Sequence, residues 1–149
     1  MKNFYIKQYE IDGRKKINHN YLNKQFSDFK KIFKEIEKVV INTDYTLGKN
    51  VDRFEEEYAK IVGTKYAIGV GSGTDAIFLS LKALGVKPGD EVITTTFTFY
   101  ATVGAIVTAG CKPIYVDAKE DHNINEDLIE KKISSRTKAI VPVHWSGKP

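Results

Sequence analysis

Residues 66–102 decide the fold of this protein, and they read YAIGVGSGTDAIFLSLKALGVKPGDEVITTTFTFYAT. The short segments 66–70 and 91–95 are predicted to be β-strands, and the segment between them is long enough for a helix. Gly85 is a natural helix end, and Pro88-Gly89-Asp90 is typical of a turn. The pattern predicts a strand, a glycine-rich turn, a helix that Thr74 or Asp75 caps, and a second strand.

The same alternation continues towards the carboxyl end of the chain. It predicts helices over 74–84, 100–109 and 126–133, and strands over 113–117 and 138–143. Strands separated by helices of about ten residues imply βαβ crossovers. We therefore expect an α/β protein with a mostly parallel sheet flanked by helices, and a ligand site at the carboxyl ends of the strands.

Two amphipathic helices are predicted to precede the first strand. Apolar side chains recur at three- and four-residue spacing over 24–42 and again over 51–62, and Gly63 provides a C-terminal stop. Residues 1–22 are mixed and polar, with a possible hairpin turn at Asp12-Gly13. The predicted organisation is an N-terminal extension, 1–22, followed by an α/β region, 23–149.

The composition excludes several classes of protein. An apolar fraction of 42% with a net charge of +4 is ordinary for a globular chain and does not indicate disorder. The basic residues are scattered among acids, no apolar run can span a bilayer, and the N-terminus has no secretory signal. The single cysteine, Cys111, fits a reducing compartment. We expect a cytoplasmic protein with no nucleic-acid or membrane partner.

The turn over 69–75, Gly-Val-Gly-Ser-Gly-Thr-Asp, has the features of an anion site. Backbone N–H groups at a helix start and the helix dipole together stabilise negative charge. A dinucleotide fingerprint needs glycine where this chain has Thr74, and a P-loop needs a Lys-Ser/Thr pair that is absent. The pattern favours one phosphate held by Gly73, Thr74 and the backbone N–H of Asp75. A tight turn that binds no ligand is the alternative.

Three aromatic residues, Phe97, Phe99 and Tyr100, follow the strand over 91–95 and lie on the same rim as the glycine turn. One of them can stack on a flat ligand, a contact that contributes about 0.5–1.5 kcal/mol. At least two are interpreted as core or interface residues. The three histidines and Cys111 do not have the spacing of metal ligands, so we predict no metal site.

Five segments, in this order and spacing, resemble the DegT/StrS family of nucleotide-sugar aminotransferases. They are Leu47-Gly48 with Phe54-Glu55, GSGTDA over 71–76, PGDEVI over 88–93, TFYAT over 98–102 and RTKAIVPVH over 136–144. The family consists of pyridoxal-phosphate enzymes of the aspartate-aminotransferase (type I) fold. The resemblance covers roughly residue 22 to the end of the sequence.

This resemblance implies a function and a set of residues. We expect a pyridoxal 5'-phosphate-dependent transfer of an amino group from glutamate to a nucleotide-linked keto-sugar, by a homodimer, in polysaccharide or antibiotic-sugar biosynthesis. Gly73, Thr74 and Asp75 are expected to hold the cofactor phosphate, and Phe99 to stack on its pyridine ring. A further match, His144-Trp145-Ser146-Gly147, has no assigned role.

Two groups that this chemistry needs have no counterpart in the 149 residues. They are the carboxylate that pairs with the pyridinium nitrogen and the lysine that forms the Schiff base. We therefore assign no catalytic residue, and expect a truncated N-terminal part of the large domain that is inactive in isolation. The alternatives are a sugar dehydratase on the same fold, a non-catalytic remnant, and a nucleotide-binding α/β domain. We also expect strand 66–70 to lack its partner, which makes the fold marginal.

Overall fold

The computed structural model describes residues 22–147 and divides the chain into two compact units, Met1–Ile61 and Val62–Pro149. Most of the predicted N-terminal extension, including the hairpin at Asp12-Gly13, lies outside the described residues. Within the described range no helix is long and apolar enough to cross a membrane.

Three helices form the described part of the first unit: α1, Leu22–Gln25; α2, Phe29–Ile41; and α3, Lys49–Val62. The single helix predicted over 24–42 is therefore wrong at its start, because a turn over 26–28 interrupts it. Ser27 and Asp28 lie in that turn, and their side chains favour turns over helix interiors. The stop at Gly63 is confirmed by its φ of +75°, which glycine adopts without strain.

The second unit contains a three-stranded parallel sheet of β1, Glu91–Thr95; β2, Lys112–Val116; and β3, Thr137–Val141. The strand order is β2-β1-β3, so β1 is central. Two helices accompany it: α4, Gly73–Ala83, packs against α5, Tyr100–Thr108, and α5 packs against β2. The prediction of an α/β protein with a parallel sheet flanked by helices is confirmed.

Two of the predicted elements are wrong. Residues 66–70 form no strand, because no strand in the described part of the chain lies beside them to pair with their backbone groups. The helix predicted over 126–133 is a pair of 3₁₀ turns, Glu126–Leu128 and Glu130–Lys132, that meet at Ile129. Eight residues give few i to i−4 hydrogen bonds to offset the cost of helix nucleation.

The core of the second unit lies on both faces of β1, whose five residues are all buried. One cluster contains Leu81, Val86, Val92, Ile106, Ala109 and Cys111, and the other contains Ile93, Val116 and Ile124. Burial raises the pKa of the Cys111 thiol in the first cluster.

The Thr94 hydroxyl is buried in β1 and is satisfied there, because it donates a 2.8 Å hydrogen bond to the Val141 carbonyl.

Candidate functional site

Helix α4 starts at Gly73, and Ser72 is its N-cap. The backbone of Ser72 is extended, with φ −164° and ψ 167°, and its Oγ accepts a 3.1 Å hydrogen bond from the Asp75 N–H. The prediction that Thr74 or Asp75 caps this helix is therefore wrong. The cap lies two or three residues earlier, at Ser72, because an extended N-cap residue can direct its hydroxyl to the open N–H groups of the first turn.

Ser72 and Asp75 form a second hydrogen bond in the opposite direction. The Ser72 hydroxyl donates to Oδ2 of Asp75 over 3.0 Å, whereas in a capping box the carboxylate would accept from the backbone N–H of the N-cap residue. The carboxylate lies against Gly71, where a Cβ atom would stand 2.8 Å from Oδ2. Glycine at position 71 therefore leaves room for the Asp75 side chain.

Gly73 and Thr74 present the open hydrogen-bond donors of the turn. Residues in the first turn of a helix have no carbonyl partner within it. Within residues 22–147, the N–H of Gly73, the N–H of Thr74 and the Thr74 hydroxyl donate to no protein group. A Cβ on Gly73 would meet no heavy atom within 4 Å. Two N–H groups and one hydroxyl are therefore free to bind an anion at the positive end of the α4 dipole.

Phe99 is the N-cap residue of α5 and follows the carboxyl end of β1. Its ring contacts Tyr100 at a centroid distance of 4.3 Å, and 56% of the residue is exposed. Phe97 and Tyr100 are exposed as well, so none of the three aromatic residues belongs to the core of the described unit. The structure places Gly73, Thr74 and Asp75 in one helical turn, and Phe99 at the start of the helix that packs against it.

An aromatic cluster beyond β1 was missed by the sequence analysis. The Phe97 ring lies 5.0 Å from the His122 ring and 4.9 Å from the Trp145 ring, measured between centroids. These residues come from three loops that are far apart in the sequence, so no periodic signal could reveal the cluster.

A cavity of about 270 Å³ lies beside the segment that follows β3. Its polar lining residues are Lys119, Asp121, Asn123, Glu126 and His144. The ion pair of Lys119 and Glu126 raises the pKa of the lysine and lowers that of the glutamate, chiefly through their hydrogen bond. Among the described residues, no group of three or more His, Cys, Asp or Glu side chains could hold a metal ion.

The parallel sheet and its flanking helices form an α/β protein with the fold found in PLP-dependent aminotransferases. The chain matches the model of the DegT/DnrJ/EryC1/StrS aminotransferase family over residues 27–149, and it belongs to that family. The resemblance inferred from the five sequence segments is thus confirmed.

Two curated relatives illustrate the sequence similarity. The UDP-2-acetamido-2-deoxy-3-oxo-D-glucuronate aminotransferase of Pseudomonas aeruginosa is 44% identical over 119 residues, which are 79% of this chain and 33% of that protein. A pleiotropic regulatory protein of Geobacillus stearothermophilus is 42% identical over 129 residues, 85% of this chain and 35% of that protein. The chain spans about a third of the length of these relatives.

Two solved structures illustrate the similarity of fold. DesV from S. venezuelae, in complex with a ketimine intermediate, superposes with a TM-score of 0.81 at 37% identity, over 87% of this chain and 35% of that one. The GDP-4-keto-6-deoxy-D-mannose-3-dehydratase of E. coli, with bound hydrated PLP, gives a TM-score of 0.71 at 31% identity, over 78% of this chain and 32% of that one.

Proposed function

We propose that this chain belongs to a pyridoxal 5'-phosphate enzyme that transfers an amino group from glutamate to a nucleotide-linked keto-sugar. Membership of the family and the similarity to nucleotide-sugar aminotransferases support this proposal. The observation that carries it is the start of α4, where the N–H groups of Gly73 and Thr74 are open beside an unobstructed glycine.

The residues present fit the phosphate of this cofactor. The phosphate is a dianion, and it can accept hydrogen bonds from the two N–H groups and the Thr74 hydroxyl at the positive end of the α4 dipole. Hydrogen bonds to an ionised acceptor are stronger than those between neutral groups. Asp75 lies in the same turn, but its N–H already donates to Ser72. A direct contact from Asp75 to the phosphate therefore stays a prediction. Gly73 and Thr74 are proposed to donate most of the hydrogen bonds to the phosphate.

Phe99 is proposed to lie against the pyridine ring. Its exposure leaves the ring available for stacking, and its place after β1 puts it at the edge of the sheet where ligands of parallel folds bind. Bound PLP supplies the electron sink for amino-group transfer. The residues of this chain bind its phosphate and orient its ring, and the groups that anchor it covalently and pair with its ring nitrogen are not recognisable in the sequence.

A test of the site uses the 149-residue chain, titrated with PLP and followed by absorbance. Thr74→Ala removes one donor and is expected to weaken PLP binding by about tenfold, as for a hydrogen bond to a charged group. Thr108→Ala makes the same change at an exposed helical position outside the turn and should have no effect. Equal affinities of the two variants would exclude Thr74 as a phosphate ligand.

A sugar dehydratase is the second candidate function, because a PLP-dependent dehydratase is among the similar structures. The two reactions differ in the residue that faces the cofactor, lysine for the aminotransferase and histidine for the dehydratase. Reading the coding sequence beyond codon 149 for a lysine or histidine in that motif separates them.

We also propose that the whole enzyme is a homodimer in the cytoplasm. No residue of α2 is buried within the described structure, and its apolar side chains Phe29, Phe33 and Ile36 are each about half exposed or more. Such an exposed apolar face is typical of an interaction surface. Light scattering of the purified protein would measure the oligomeric state.

A further inference from the structure

Leu47 lies in the loop between α2 and α3, residues 42–48, and it is unfavourable there in two ways. It is 85% exposed, and among the described residues no other large apolar residue is exposed to the same extent. Its backbone has a φ of +50°, in the left-handed region that leucine rarely adopts. Exposed apolar surface and backbone strain both cost free energy, and strain of this kind concentrates at functional sites. Leu47 is therefore a candidate for a contact with another molecule.

The loop holds Leu47 in this position from both ends. The Tyr45 hydroxyl donates a 3.1 Å hydrogen bond to a carbonyl in the last turn of α2. The Asp44 carboxylate accepts a 3.2 Å hydrogen bond from the Lys49 N–H at the start of α3. That carboxylate fills the space beside Gly48, where a Cβ atom would collide with it. The loop is thus ordered before any partner binds, which lowers the entropy cost of binding.

The same unit carries a groove that can receive an apolar side chain. The groove has a volume of about 580 Å³ and lies beside the loop, because Asp44 and Lys49 are among its lining residues. Its apolar lining comes from one face of α2, at four- and three-residue spacing, and consists of Ile32, Ile36 and Val39. Ile32 and Ile36 are still exposed, so an apolar occupant would remove their surface from water.

We propose that Leu47 is an apolar anchor of the homodimer and lies in the α2 groove of a second copy of this chain. One unit presents both the protruding side chain and the groove, so each copy can give and receive the same contact about a two-fold axis. Charge supports the same occupant, because Glu35 and Lys38 line the groove while Asp44 and Lys49 flank the Leu47 loop. Opposite charges of the two copies can therefore face each other. The inference rests on the homodimer proposed above and names its contact.

The experiment measures self-association of the 149-residue chain by sedimentation velocity over a range of concentrations. Leu47→Asn removes the apolar side chain, and asparagine adopts a positive φ more readily than leucine, so the loop should be retained. The dissociation constant of the dimer should rise at least about tenfold, because each copy loses one buried leucine. Thr43→Asn is the matched control, since Thr43 has a φ of +55° in the same loop, and it should leave the constant unchanged.

Ile36→Gln tests the groove with a polar residue that suits a helix. It should weaken the dimer about as much as Leu47→Asn. The double variant should be little weaker than either single variant, because the two changes remove the same contact. Ile61→Gln, at an exposed apolar residue of α3 that does not line the groove, should leave the dissociation constant unchanged.

Equal dissociation constants for Leu47→Asn and Thr43→Asn, or additive effects of Leu47→Asn and Ile36→Gln, would overturn the proposal. A wild-type chain that stays monomeric overturns it as well. If circular dichroism shows that Leu47→Asn does not fold, the comparison of Ile36→Gln with Ile61→Gln decides alone. PLP binding to the same chain is measured separately by absorbance. A chain that associates as expected but binds no PLP therefore refutes the cofactor site and leaves this contact standing, and the reverse result refutes the contact alone.

Discussion

Glu91, the first residue of β1, is hydrogen-bonded to Arg136, the residue that precedes β3. The Arg136 guanidinium donates to Oε1 of Glu91 through Nη2 at 2.6 Å and Nε at 3.0 Å, while the Glu91 N–H donates to the Arg136 carbonyl at 2.9 Å. Ser134 Oγ donates to Oε2 at 2.6 Å. The Glu91 side chain is only 5% exposed, and the hydrogen bonds to its carboxylate come from Ser134 and Arg136, in the segment that leads into β3.

Replacing Glu91 by glutamine is expected to lower the free energy of unfolding. The amide has no charge to pair with Arg136. It also has one acceptor oxygen, whereas Arg136 and Ser134 donate to both oxygens of the carboxylate. Urea denaturation of Glu91→Gln should give a lower midpoint than wild type. Glu120→Gln, at an exposed glutamate in a turn, is the control and should leave the midpoint unchanged. Equal midpoints for the two variants would contradict a structural role for Glu91.

The same network predicts how stability depends on pH. The hydrogen bonds from Ser134 and Arg136 hold the pKa of Glu91 below its usual 4.5. A carboxyl whose pKa is lower in the folded state binds protons more readily when unfolded, so its contribution is present above pH 4.5 and is lost as the pH falls through the folded pKa. The midpoint difference between wild type and Glu91→Gln should therefore shrink between pH 6 and pH 3. A difference that is constant over this range would argue against the ionised form as the stabilising one.

The central strand β1 was predicted correctly from the sequence, whereas the strand predicted over 66–70 is absent. The run EVITT over 91–95 is rich in β-branched residues, which suit a buried strand, and its predicted bounds are confirmed. Residues 66–70 have a similar pattern, but a strand also needs a partner, and a local sequence does not show whether one is present. The start of α4 was predictable from the glycine turn, whereas the pairing of Ser72 with Asp75 depends on backbone angles that the sequence does not specify.

Leu81 is expected to be essential for the core of the second unit. It is 2% exposed and lies in the cluster that joins α4 to Val92 and Ile106. Leu81→Ala should lower the free energy of unfolding by about 2–5 kcal/mol, the range for a large-to-small change that leaves a cavity. Leu79→Ala, on the exposed side of the same helix, should change it far less. Thermal unfolding followed by circular dichroism measures both, and similar losses would indicate that the core is not packed as described.

The 149-residue chain is predicted to show no aminotransferase activity by itself. Binding a phosphate and stacking a ring position the cofactor, but proton transfer to and from the substrate needs a basic group that faces it. We expect that no lysine of this sequence supplies this group. Incubation with PLP, glutamate and nucleotide-linked keto-sugars should yield no 2-oxoglutarate above the rate seen with PLP alone. Turnover above that background would show that a residue of this chain performs the proton transfer.

A substitution of Phe99 can test whether its aromatic ring, and not only its apolar character, contributes to PLP binding. Phe99→Leu keeps an apolar side chain at the start of α5 but removes the aromatic face, and stacking of about 0.5–1.5 kcal/mol corresponds to a roughly two- to twelvefold loss of affinity. We expect this loss for PLP but not for inorganic phosphate, because only the cofactor has a ring. Tyr115→Leu, at an exposed aromatic residue of β2, serves as the control and should leave both affinities unchanged. Equal losses for PLP and phosphate would show that Phe99 supports the turn rather than the ring.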